Sequence, residues 1–374
     1  MDTWPLPALL PDPVGARVAV VSGSYGAGHD RAAAEICRHL EAAGAEVSTC
    51  DIAALLPAGL GRYLKRAYYA QMRRCPSTWA TTLACAEPGR PLHRLAVQGV
   101  GLGAHHVAAA TAGHDLVIAT HPFAGLALGA GRARGLLRVP AVTYLTDLSV
   151  HALWVHPAVD LHVAIHSIAA EQARGWGGRT ATVRPIVPEP ENGVAATEPD
   201  PLAEYEIARP RALLTGGSLG IGDLERAAAD VLATGVMTPV VACGANDALR
   251  ERLHARPDVI ALGWRDDLPA IIAASDCVVQ NAGGFTSLEA LASGTPVVTY
   301  RPIPGHGVSN ALGLERAGLA PWARDAEELG RALSALLIAD RHNRIPHDAP
   351  TLLEVLARGI PVVPVGSGTV VEVA

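Results

Sequence analysis

The sequence predicts an α/β protein built from two Rossmann-like domains that face each other across a cleft. Two observations support this prediction: a glycine-rich turn follows an apolar run in each half, and strands alternate with helices along the chain. The first turn spans residues 22–29 after the run 18–21, and the second spans 215–220 after 212–214. Each pattern is typical of a strand, a tight turn and a helix, which directs backbone N–H groups at a phosphate or another anion.

The composition fits such a fold. The 374 residues are enough for two domains with full cores, and 49% of them are hydrophobic while only 4% are aromatic. Alanine, valine and leucine are therefore expected to fill the cores, as they do in sheets of buried parallel strands covered by helices.

The alternation of strands and helices predicts a parallel sheet with helices on both faces in each half. In the first half, helices are expected over 30–43 and from Ser167 onwards, and strands over 17–21, 46–51, 116–120, 141–144 and 161–165. In the second half, helices are expected over 286–292 and 326–339, and strands over 212–215, 239–243, 259–262, 277–280 and 296–300.

Prolines separate the two halves. Residues 184–210 contain a run of prolines with acidic residues between them, which predicts a linker. We therefore expect an N-terminal domain over residues 1–190 and a C-terminal domain over 211–345. Residues 346–374 are expected to form a C-terminal helix, over 351–358, and a tail, and this helix is expected to pack back on the first domain.

Charge and cysteine content exclude several classes of protein. The formal net charge is −6 and the first half is only slightly basic, which is far too weak for a nucleic-acid-binding surface. The cysteines form no Cys-x-x-Cys pair, so we expect free thiols in a reducing cytoplasm and neither a disulfide framework nor a metal site. The first residues lack the features of a signal peptide, and no apolar run approaches the ~20 residues that span a bilayer. A cytoplasmic location is therefore expected.

The Asn-Ala-Gly-Gly loop of the second half suits a nucleotide. Gly283 and Gly284 allow a ligand to approach the backbone closely, and Thr286 and Ser287 can cap the following helix and offer N–H groups to an anion. Glu289 lies one turn into that helix, where its carboxylate can accept two hydrogen bonds from a ribose diol. From the turn alone, an ordinary capped helix with a solvated Glu289 explains the pattern equally well.

Four sequence blocks follow one another in the second half. They are Gly263-Trp264-Arg265-Asp266-Asp267-Leu268-Pro269, Ala274-Ser275-Asp276-Cys277, Ala282-Gly283-Gly284-Phe285-Thr286 with Glu289-Ala290, and Gly294-Thr295-Pro296-Val297-Val298. In order and spacing they resemble the donor half of a GT-B glycosyltransferase of family 28. That family includes the monogalactosyldiacylglycerol synthases and, more distantly, the lipid II-forming N-acetylglucosaminyltransferase. Four ordered blocks are far more specific than a single glycine loop.

Blocks in the first half resemble the monogalactosyldiacylglycerol synthases and diacylglycerol glycosyltransferases within that family. They are Gly26-Ala27-Gly28-His29 with Ala32-Ala33, Tyr68-Tyr69 with Pro76-Ser77 and Trp79, Thr120-His121-Pro122-Phe123, and Thr146-Asp147-Leu148 followed by His151, Trp154, His156-Pro157 and Val159-Asp160. The last block is the most specific of them. Together the similarity covers nearly the whole chain.

The resemblance implies an inverting transfer of a sugar from a UDP-sugar to a hydroxyl group, with a lipid such as diacylglycerol as the acceptor. It also implies that neither a cofactor nor a metal ion is needed, because a helix dipole and backbone N–H groups stabilise the departing diphosphate. Asp266 and Asp267 are adjacent and so lack the Asp-x-Asp spacing of a metal site. They fall where the family has a loop near the uracil.

His29 is the candidate general base. An unperturbed imidazole titrates near neutral pH, and a helix N-terminus lowers its pKa further and keeps it neutral. Asp147 is the rival base. In the alternative roles of these two residues, His29 only binds the acceptor, and Asp147 holds His151 or His156 in place.

The remaining site residues come from the same blocks and from the loops beside them. The residues expected to bind the donor are Gly216, Gly217, Ser218, Trp264, Arg265, Gly283, Gly284, Phe285, Thr286, Glu289, His306 and Asn310. The residues expected to bind the acceptor are Gly28, Trp79, His121, His151, Trp154 and His156. The spacing of these histidines, without a Cys or Glu to complete a set, does not favour a metal site.

One loop departs from the family pattern. The related lipid enzymes carry a glutamine that contacts hydroxyls of the donor sugar in the loop that corresponds to residues 304–310, and the nearest residue here is His306. The resemblance therefore leaves the identity of the sugar, and of the nucleotide, open.

Residues 60–79 interleave apolar and basic side chains. On a helix they form an apolar stripe with basic flanks, which suits the surface of an anionic bilayer; a helix that only covers the sheet is the alternative. The resemblance to lipid enzymes favours membrane contact, and with it a peripheral position on the inner face of the cell membrane.

Three other functions stay open. The acceptor can be a soluble specialised metabolite, the chain can be a non-hydrolysing UDP-sugar 2-epimerase of the same architecture, or it can bind a sugar nucleotide without turnover. A nicotinamide-dependent oxidoreductase with Asp51 on the ribose is disfavoured, because the first turn has the glycine pattern G-x-x-G-x-G instead of G-x-G-x-x-G.

Overall fold

A computed structural model of the chain describes residues 5–188, 200–205, 207, 209–338 and 348–361. The chain divides into two compact units. The first contains the described residues within Met1–Ala70, Thr81–Ile186 and Pro346–Ala374, and the second those within Gln71–Ala80 and Val187–Ile345. Residues 189–199, 206 and 208 of the expected linker and residues 362–374 of the expected C-terminal tail lie outside the described residues.

The first half of the chain forms a parallel sheet. The strands in this half of the chain are β1 (Pro5–Leu6), β2 (Arg17–Ser22), β3 (Glu46–Asp51), β4 (Leu116–Ala119), β5 (Ala141–Leu145), β6 (Leu161–Ala164) and β7 (Thr180–Thr182), and all of them except β1 belong to the sheet. Among the described residues, six of these strands lie side by side in the order β3-β2-β4-β5-β6-β7. The residues of β4 and β5 are buried along their whole length, as expected for central strands covered by helices on both faces.

Helices cover this sheet. They are α1 (Ala27–Ala42), α2 (Ile52–Leu55), α3 (Leu60–Arg74), α4 (Trp79–Cys85), α5 (Pro91–Gly101), α6 (Ala104–Ala110), α7 (Pro122–Ala133) and α8 (Ser167–Gly175). The segment Gln71–Ala80, which holds the end of α3 and the start of α4, is grouped with the second unit.

The second half forms a parallel sheet of the same kind. Its strands are β8 (Arg211–Thr215), β9 (Thr238–Ala242), β10 (Ile260–Leu262), β11 (Cys277–Gln280), β12 (Val297–Tyr300) and β13 (Trp322–Ala323), and among the described residues their order is β10-β9-β8-β11-β12-β13. Its helices are α9 (Leu224–Thr234), α10 (Asp247–His254), α11 (Leu268–Ala273), α12 (Phe285–Ala292), α13 (His306–Arg316) and α14 (Ala326–Ile338).

A further helix and strand, from the C-terminal part of the chain, belong to the first unit. Helix α15 (Leu352–Arg358) starts with a capping box made by Thr351 and Glu354. The backbone oxygen of Leu356 accepts hydrogen bonds from the N–H groups of Leu9 and Leu10, at 2.9 and 3.0 Å. Strand β14 (Ile360–Pro361) then pairs with β1 in antiparallel fashion.

The order of the strands reverses at one point in each sheet. In the first sheet the chain runs from β2 to β3 and then returns to place β4 on the other side of β2; in the second it runs from β8 through β10 and returns to place β11 beside β8. Ligands of parallel α/β sheets bind at such switch points, outside the carboxyl ends of the strands. The loops after β2 and β4, and those after β8 and β11, are therefore the places where a ligand is expected.

Every predicted strand is present to within one residue at each end, so the prediction of parallel sheets with covering helices is confirmed. Helix α1 starts three residues earlier than expected, because Gly26 has the extended conformation of an N-cap. The structure adds the strands β1, β7, β13 and β14, which are too short to produce an apolar pattern, and several covering helices, among them α13. None of the helices in the described part of the chain combines the length and apolar character needed to cross a bilayer.

The apolar stripe of α3 does not face outward. Leu60, Leu64 and Tyr68 pack against the core of the first unit, while Arg62 and Arg66 are exposed. The alternative of a helix that covers the sheet therefore describes this stripe, and the face that α3 presents to solvent is basic.

Candidate functional site

The crevice of the first unit lies between the glycine turn after β2 and the loop after β4. A Cβ on Gly23 would lie only 2.5 Å from Cγ of His121, so the two loops can approach this closely only with glycine at position 23. The ring of Tyr25 stacks on that of His121 with centroids 4.8 Å apart, and Phe123 lies edge-on to His121 at 5.2 Å. The first crevice is therefore walled by packed rings.

His29 is the third residue of α1, and its contacts fix its tautomer. The Nδ1 atom lies 2.9 Å from the backbone oxygen of Thr120 and 3.2 Å from Oγ1 of Thr146. A carbonyl oxygen can only accept a hydrogen bond, so Nδ1 carries the proton and Nε2 carries the lone pair. This is the protonation state in which the ring can act as a general base through Nε2.

The surroundings of His29 keep the ring neutral. Burial lowers the pKa of His29 below its ordinary value, while the negative charge of Asp147 raises it by a smaller amount. The largest cause is thus burial, which the sequence did not reveal. Asp147 lies two residues after the end of β5. Because its charge affects the pKa of His29, the two candidate bases interact electrostatically.

His121 has the opposite tautomer. Its Nδ1 accepts a hydrogen bond from the backbone N–H of Phe123 at 3.2 Å, which caps the start of α7, so its proton is on Nε2. Burial lowers the pKa of His121 well below the ordinary value, and the neighbouring His29 and His151 add to that shift. The rings of His29 and His121 meet edge-on with centroids 4.7 Å apart. The crevice therefore combines a neutral proton acceptor with a neutral N–H donor.

Trp154 closes the same crevice. Its buried ring lies 5.7 Å from that of His29, and His151 lies 6.4 Å from Trp154, measured between centroids. The predicted residues Gly28, His29, His121, His151 and Trp154 are thus brought together by three loops.

His156 has a different environment. A Cβ on Gly129, in the middle of α7, would lie 2.2 Å from Cγ of His156, and Nδ1 of His156 accepts a hydrogen bond from the N–H of Ala158 at 3.1 Å. These contacts pack His156 against the helix and order its own loop. We therefore assign a packing role to His156.

The crevice of the second unit is lined by glycines. In the turn after β8, Gly217, Gly220 and Gly222 have positive φ angles of 70°, 54° and 96°. A Cβ on Gly216 would lie 2.1 Å from the backbone oxygen of Ile221, which only glycine avoids. Helix α9 begins only at Leu224, so the turn after β8 is longer than the turn over residues 215–220 that was expected from the sequence.

The loop after β11 contains the predicted Gly283-Gly284 pair. Gly284 is the N-cap of α12 and makes no side-chain cap. Thr286 and Ser287 are the second and third residues of the helix, so the prediction that their side chains cap it is wrong. The first N–H groups of a helix have no partner within it, and here they are those of Phe285 and its neighbours.

Glu289 is buried, with 5% of its surface exposed, so the alternative in which this carboxylate is simply solvated is wrong. It lies in the second turn of α12, and Phe285, which starts that helix, is buried as well.

Helix α13 packs directly on the Gly283 turn. A Cβ on Gly283 would lie 2.5 Å from Cβ of Asn310, and Nδ2 of Asn310 donates a hydrogen bond to the backbone oxygen of Ala282 at 3.1 Å. His306 is the first residue of α13, and its Nδ1 accepts a hydrogen bond from Nε1 of Trp79 at 2.8 Å. Trp79, expected from the sequence to bind the acceptor, therefore contacts a residue expected to bind the donor.

Trp264 and Arg265 follow β10, which is an edge strand two positions away from β8 in the sheet. Trp264 is 58% exposed, and its Nε1 donates a hydrogen bond to Asp266 at 3.0 Å. Arg265 donates two hydrogen bonds to Asp267, at 2.7 and 2.6 Å, which raise the pKa of Arg265 and lower that of Asp267. These side chains order their own loop.

Asn281 is a site residue that the sequence analysis did not single out. Its Nδ2 donates a hydrogen bond to the backbone oxygen of Ile221 at 2.8 Å, and this contact joins the two loops of the second crevice. The signal was its place directly after a buried strand, before the Gly283 turn. Tyr25 and Thr146 were also missed: Tyr25 lies within the first glycine turn, and Thr146 stands in a block quoted for its neighbours.

Among the described residues, no group of three or more His, Cys, Asp or Glu side chains is arranged to hold a metal ion.

Two family models match the chain. The model described as monogalactosyldiacylglycerol (MGDG) synthase matches residues 29–186, and the model described as glycosyl transferases group 1 matches residues 218–339. The first match includes most of the crevice around His29, and the second includes the Gly283 turn and α13.

The chain is also similar in sequence to curated proteins. Processive diacylglycerol beta-glucosyltransferases of Bacillus thuringiensis (strain Al Hakam) and Bacillus cereus (strain AH820) are each 27% identical to this chain over 236 residues. The match covers 60% of this chain and 60% of each relative, so it spans less than two thirds of their length. The resemblance inferred from the sequence blocks is confirmed.

Solved structures share the fold. Anabaena Alr3699/HepE in complex with UDP-glucose has a TM-score of 0.51 at 16% identity, covering 91% of this chain and 95% of that one. Acinetobacter baumannii MurG has a TM-score of 0.50 at 15% identity, covering 91% and 93%. The glycotransferase of kitacinnamycin has a TM-score of 0.55 at 14% identity, covering 92% and 95%. The predicted GT-B fold is therefore confirmed.

Proposed function

We propose that this chain is an inverting glycosyltransferase that transfers a sugar from a UDP-sugar to a lipid hydroxyl group, with diacylglycerol as the acceptor. The observation that carries the proposal is the tautomer of His29, a neutral ring with its lone pair on Nε2 at the switch point of the first sheet. The names of the curated relatives, which are diacylglycerol glucosyltransferases, support this acceptor and make UDP-glucose the first donor to test.

In the proposed reaction His29 takes the proton of the acceptor hydroxyl on Nε2. The hydroxyl oxygen then attacks the anomeric carbon, and the bond from that carbon to the UDP oxygen breaks. The electron pair of that bond leaves with UDP, and the configuration at the anomeric carbon inverts. The backbone oxygen of Thr120 accepts the hydrogen bond from Nδ1 of His29 throughout, so the ring keeps its orientation while it becomes positively charged.

His121 complements this base. Its Nε2–H group can donate a hydrogen bond to the acceptor oxygen, and the ring carries no charge because burial keeps the imidazole neutral. Trp154 and His151 form the adjoining wall. Asp147 stabilises the imidazolium that forms on His29, which agrees with its effect on the pKa of that ring.

The second unit is proposed to hold the nucleotide without a metal ion. The backbone N–H groups of the glycine turn after β8 and of the start of α12 are proposed to contact the diphosphate, and Glu289 the ribose. The glycines at 216, 220 and 283 allow these turns to pack closely, because a Cβ at each would lie 2.1 to 2.5 Å from a neighbouring protein atom. An excess of EDTA is expected to leave the rate unchanged.

Membrane contact is proposed for the first unit through its exposed basic and apolar side chains. Arg62, Tyr63 and Arg66 are exposed on α3, and Leu95, with 66% of its surface exposed, lies on α5. The two helices are neighbours, because a Cβ on Gly99 of α5 would lie 3.8 Å from Leu60. Basic residues beside exposed leucines suit an anionic bilayer, and they support the proposal of a peripheral position on the inner face of the cell membrane.

The test is an assay of UDP release. The protein is incubated with UDP-glucose, UDP-galactose and UDP-N-acetylglucosamine, each with and without vesicles that contain diacylglycerol and anionic lipid. Release that requires both a donor and vesicles, with a glycosylated diacylglycerol as the product, is the expected result.

The other outcomes separate the alternatives. Release that is the same without vesicles, in the presence of a small hydroxyl compound, contradicts the lipid acceptor and favours a soluble one. Conversion of the UDP-sugar to its 2-epimer without release indicates an epimerase. Binding of UDP without any turnover indicates a sugar-nucleotide-binding protein.

A matched pair of variants tests the membrane surface. Leu95→Glu on α5 is expected to weaken co-sedimentation with anionic vesicles, because it places a negative charge on the proposed contact surface. Leu337→Glu changes an exposed leucine of α14 in the second unit and is expected to have no effect. Equal effects of the two variants would contradict the assignment of the surface.

A further inference from the structure

Trp79 and His306 are joined by a hydrogen bond between their side chains. Nε1 of the indole donates to Nδ1 of the imidazole at 2.8 Å, and both residues are half-buried. The ring centroids are 6.3 Å apart and the ring planes are nearly perpendicular, so the contact is directed through the N–H and is not a stack. The two residues lie 227 positions apart in the sequence, and both belong to the second unit.

This contact fixes the tautomer of His306. The indole nitrogen can donate a hydrogen bond and cannot accept one, so Nδ1 of His306 carries no proton. The proton of the neutral ring is therefore on Nε2. A proton on Nδ1 would point at the indole N–H, so the contact disfavours both the other tautomer and the imidazolium.

His306 lies beside the second crevice, so its tautomer affects what that crevice offers to a ligand. His306 starts α13 directly after Gly305, whose φ of 84° turns the chain into the helix. The next residue, Gly307, packs so closely on the loop after β11 that a Cβ there would lie 2.7 Å from the backbone oxygen of Asn281. His306 therefore stands beside the loop that forms one wall of the switch point of the second sheet.

We propose that Trp79 is a positioning residue for the donor sugar: it holds His306 with the proton on Nε2, as an uncharged hydrogen-bond donor to a hydroxyl group of that sugar. The inference rests on the proposed function, since it takes the second crevice to bind a UDP-sugar. An Nε2–H donor of this kind offers the sugar what a glutamine amide offers, a neutral N–H at the end of a side chain. Trp79 would thus contribute to the recognition of the sugar and not of the nucleotide.

The first measurement reads the tautomer in the wild-type protein. Selective labelling with ¹⁵N-histidine, with His306→Gln used to assign the signals, is expected to show a protonated Nε2 and an unprotonated Nδ1 for His306. A protonated Nδ1 overturns the inference. Because this measurement uses the unchanged chain, it decides the tautomer even where a variant at position 79 does not fold.

The second measurement separates the sugar from the nucleotide. Trp79→Phe keeps an aromatic ring and removes the N–H, and we expect it to raise the KM for the UDP-sugar roughly three- to tenfold, the range of one neutral hydrogen bond. The affinity for UDP alone, measured by calorimetry, is expected to stay within about twofold, since UDP has no sugar for His306 to contact. Trp176→Phe is the matched control: it removes an indole N–H that donates to Val150 at 3.2 Å in the first unit, and it is expected to change neither value.

A rescue variant completes the test. A glutamine at position 306 carries an N–H₂ donor that needs no tautomer, so Trp79→Phe is expected to raise the KM much less in a His306→Gln background than in the wild type. An equal rise in both backgrounds overturns the inference, because Trp79 would then act independently of the imidazole.

The outcomes also distinguish this inference from the proposed function. Wild-type protein that binds no UDP overturns the proposed function, and the sugar contact with it. Wild-type protein that binds UDP and turns over the donor, with an unchanged KM in Trp79→Phe, overturns the inference alone.

Discussion

The two crevices of this chain lie at equivalent places in two similar sheets, yet different groups line them: side-chain rings in the first and mainly backbone in the second. In the first, imidazole and indole rings pack together, and backbone groups fix the tautomers of His29 and His121. In the second, glycines with positive φ bring the main chain to the surface of the crevice, and buried polar side chains such as Asn281 join its loops. One sheet presents titratable side chains, and the other presents its backbone.

The difference follows from what each crevice is proposed to do. Removal of a proton requires a group whose pKa is near neutrality and whose lone pair has a defined direction, which only a held side chain provides. Stabilisation of a diphosphate requires several N–H groups at once, and main-chain amides at a turn supply them without a change of protonation. A substitution at the first crevice is therefore expected to affect the chemical step, and one at the second to affect donor binding and stability.

The largest effect is expected for His29→Ala, which removes the proposed base. Loss of general-base catalysis is expected to lower kcat by roughly 10²- to 10⁴-fold, with little change in UDP affinity, because the side chain belongs to the first crevice. His106→Ala, an exposed histidine on α6, serves as the control and is expected to leave kcat unchanged. A variant at position 29 that keeps more than about a tenth of the wild-type kcat would remove His29 from the chemical step.

The second crevice is tested by Gly220→Ala. The φ of Gly220 is 54°, and a Cβ there would lie 2.1 Å from the backbone oxygen of Cys243, so the turn must shift. We expect a loss of about 1–3 kcal/mol in the free energy of unfolding in urea, together with weaker UDP binding.

The control for that variant is Gly235→Ala at the end of α9. It has a similar φ of 65° but no atom within 4 Å of the added Cβ, so it reports the strain of the backbone conformation alone. If the two variants lose equal stability and bind UDP equally well, the close packing of the glycine turn has no role in donor binding.

A smaller effect is expected for Gly23→Ala in the first crevice. The added Cβ would lie 2.5 Å from Cγ and 2.9 Å from Cβ of His121, whose buried ring packs on Tyr25 and Phe123, so the loop after β4 must shift. We expect a loss of about tenfold in kcat/KM together with about 1–3 kcal/mol in the free energy of unfolding. Gly26→Ala, three residues along the same turn, meets nothing within 4 Å and has an extended backbone, so it is expected to behave like the wild type. Equal activity of the two variants would show that the position of His121 is unimportant.

The smallest effect is expected for Asp147→Asn, read from the pH dependence of kcat/KM. Since burial lowers the pKa of His29, the rate is expected to fall only when the pH drops below the usual range of histidine. The charge of Asp147 favours the imidazolium and raises this pKa, so its removal lowers the pKa further and moves the acidic limb to lower pH. Loss of nearly all activity at every pH, in place of this displacement, would identify Asp147 as the base.

The sequence was sufficient for the strands and for the loops that follow them at the switch point of each sheet. Buried parallel strands are continuous apolar runs, and the residues that follow them at the carboxyl edge must be glycines or polar side chains if a ligand binds there. This is why β11 and the Gly283 turn were predicted correctly. The same reasoning failed for β7 and β13, which contain three and two residues and carry no periodic signal.

The sequence also indicated His29 and a lowered pKa for its ring, but it did not reveal burial, which is the largest cause of that shift. A helix N-terminus can be predicted from a glycine turn, whereas burial depends on Trp154 and His121, which come from other loops. The burial of Glu289 and the failure of Thr286 to cap α12 have the same origin, since both are set by what packs around the start of that helix.

What the chain determined by itself is therefore the set of strands, the glycine turns and the chemical types available at each crevice, because these depend on neighbours along the backbone. What only the tertiary structure decided is the protonation pattern of the histidines. The tautomers of His29, His121 and His306 depend on which atom faces each Nδ1: the Thr120 oxygen, the Phe123 N–H and the Trp79 indole N–H. A ring nitrogen is a donor or an acceptor only in relation to a partner, and for His29 and His306 the partner is brought by a distant part of the chain.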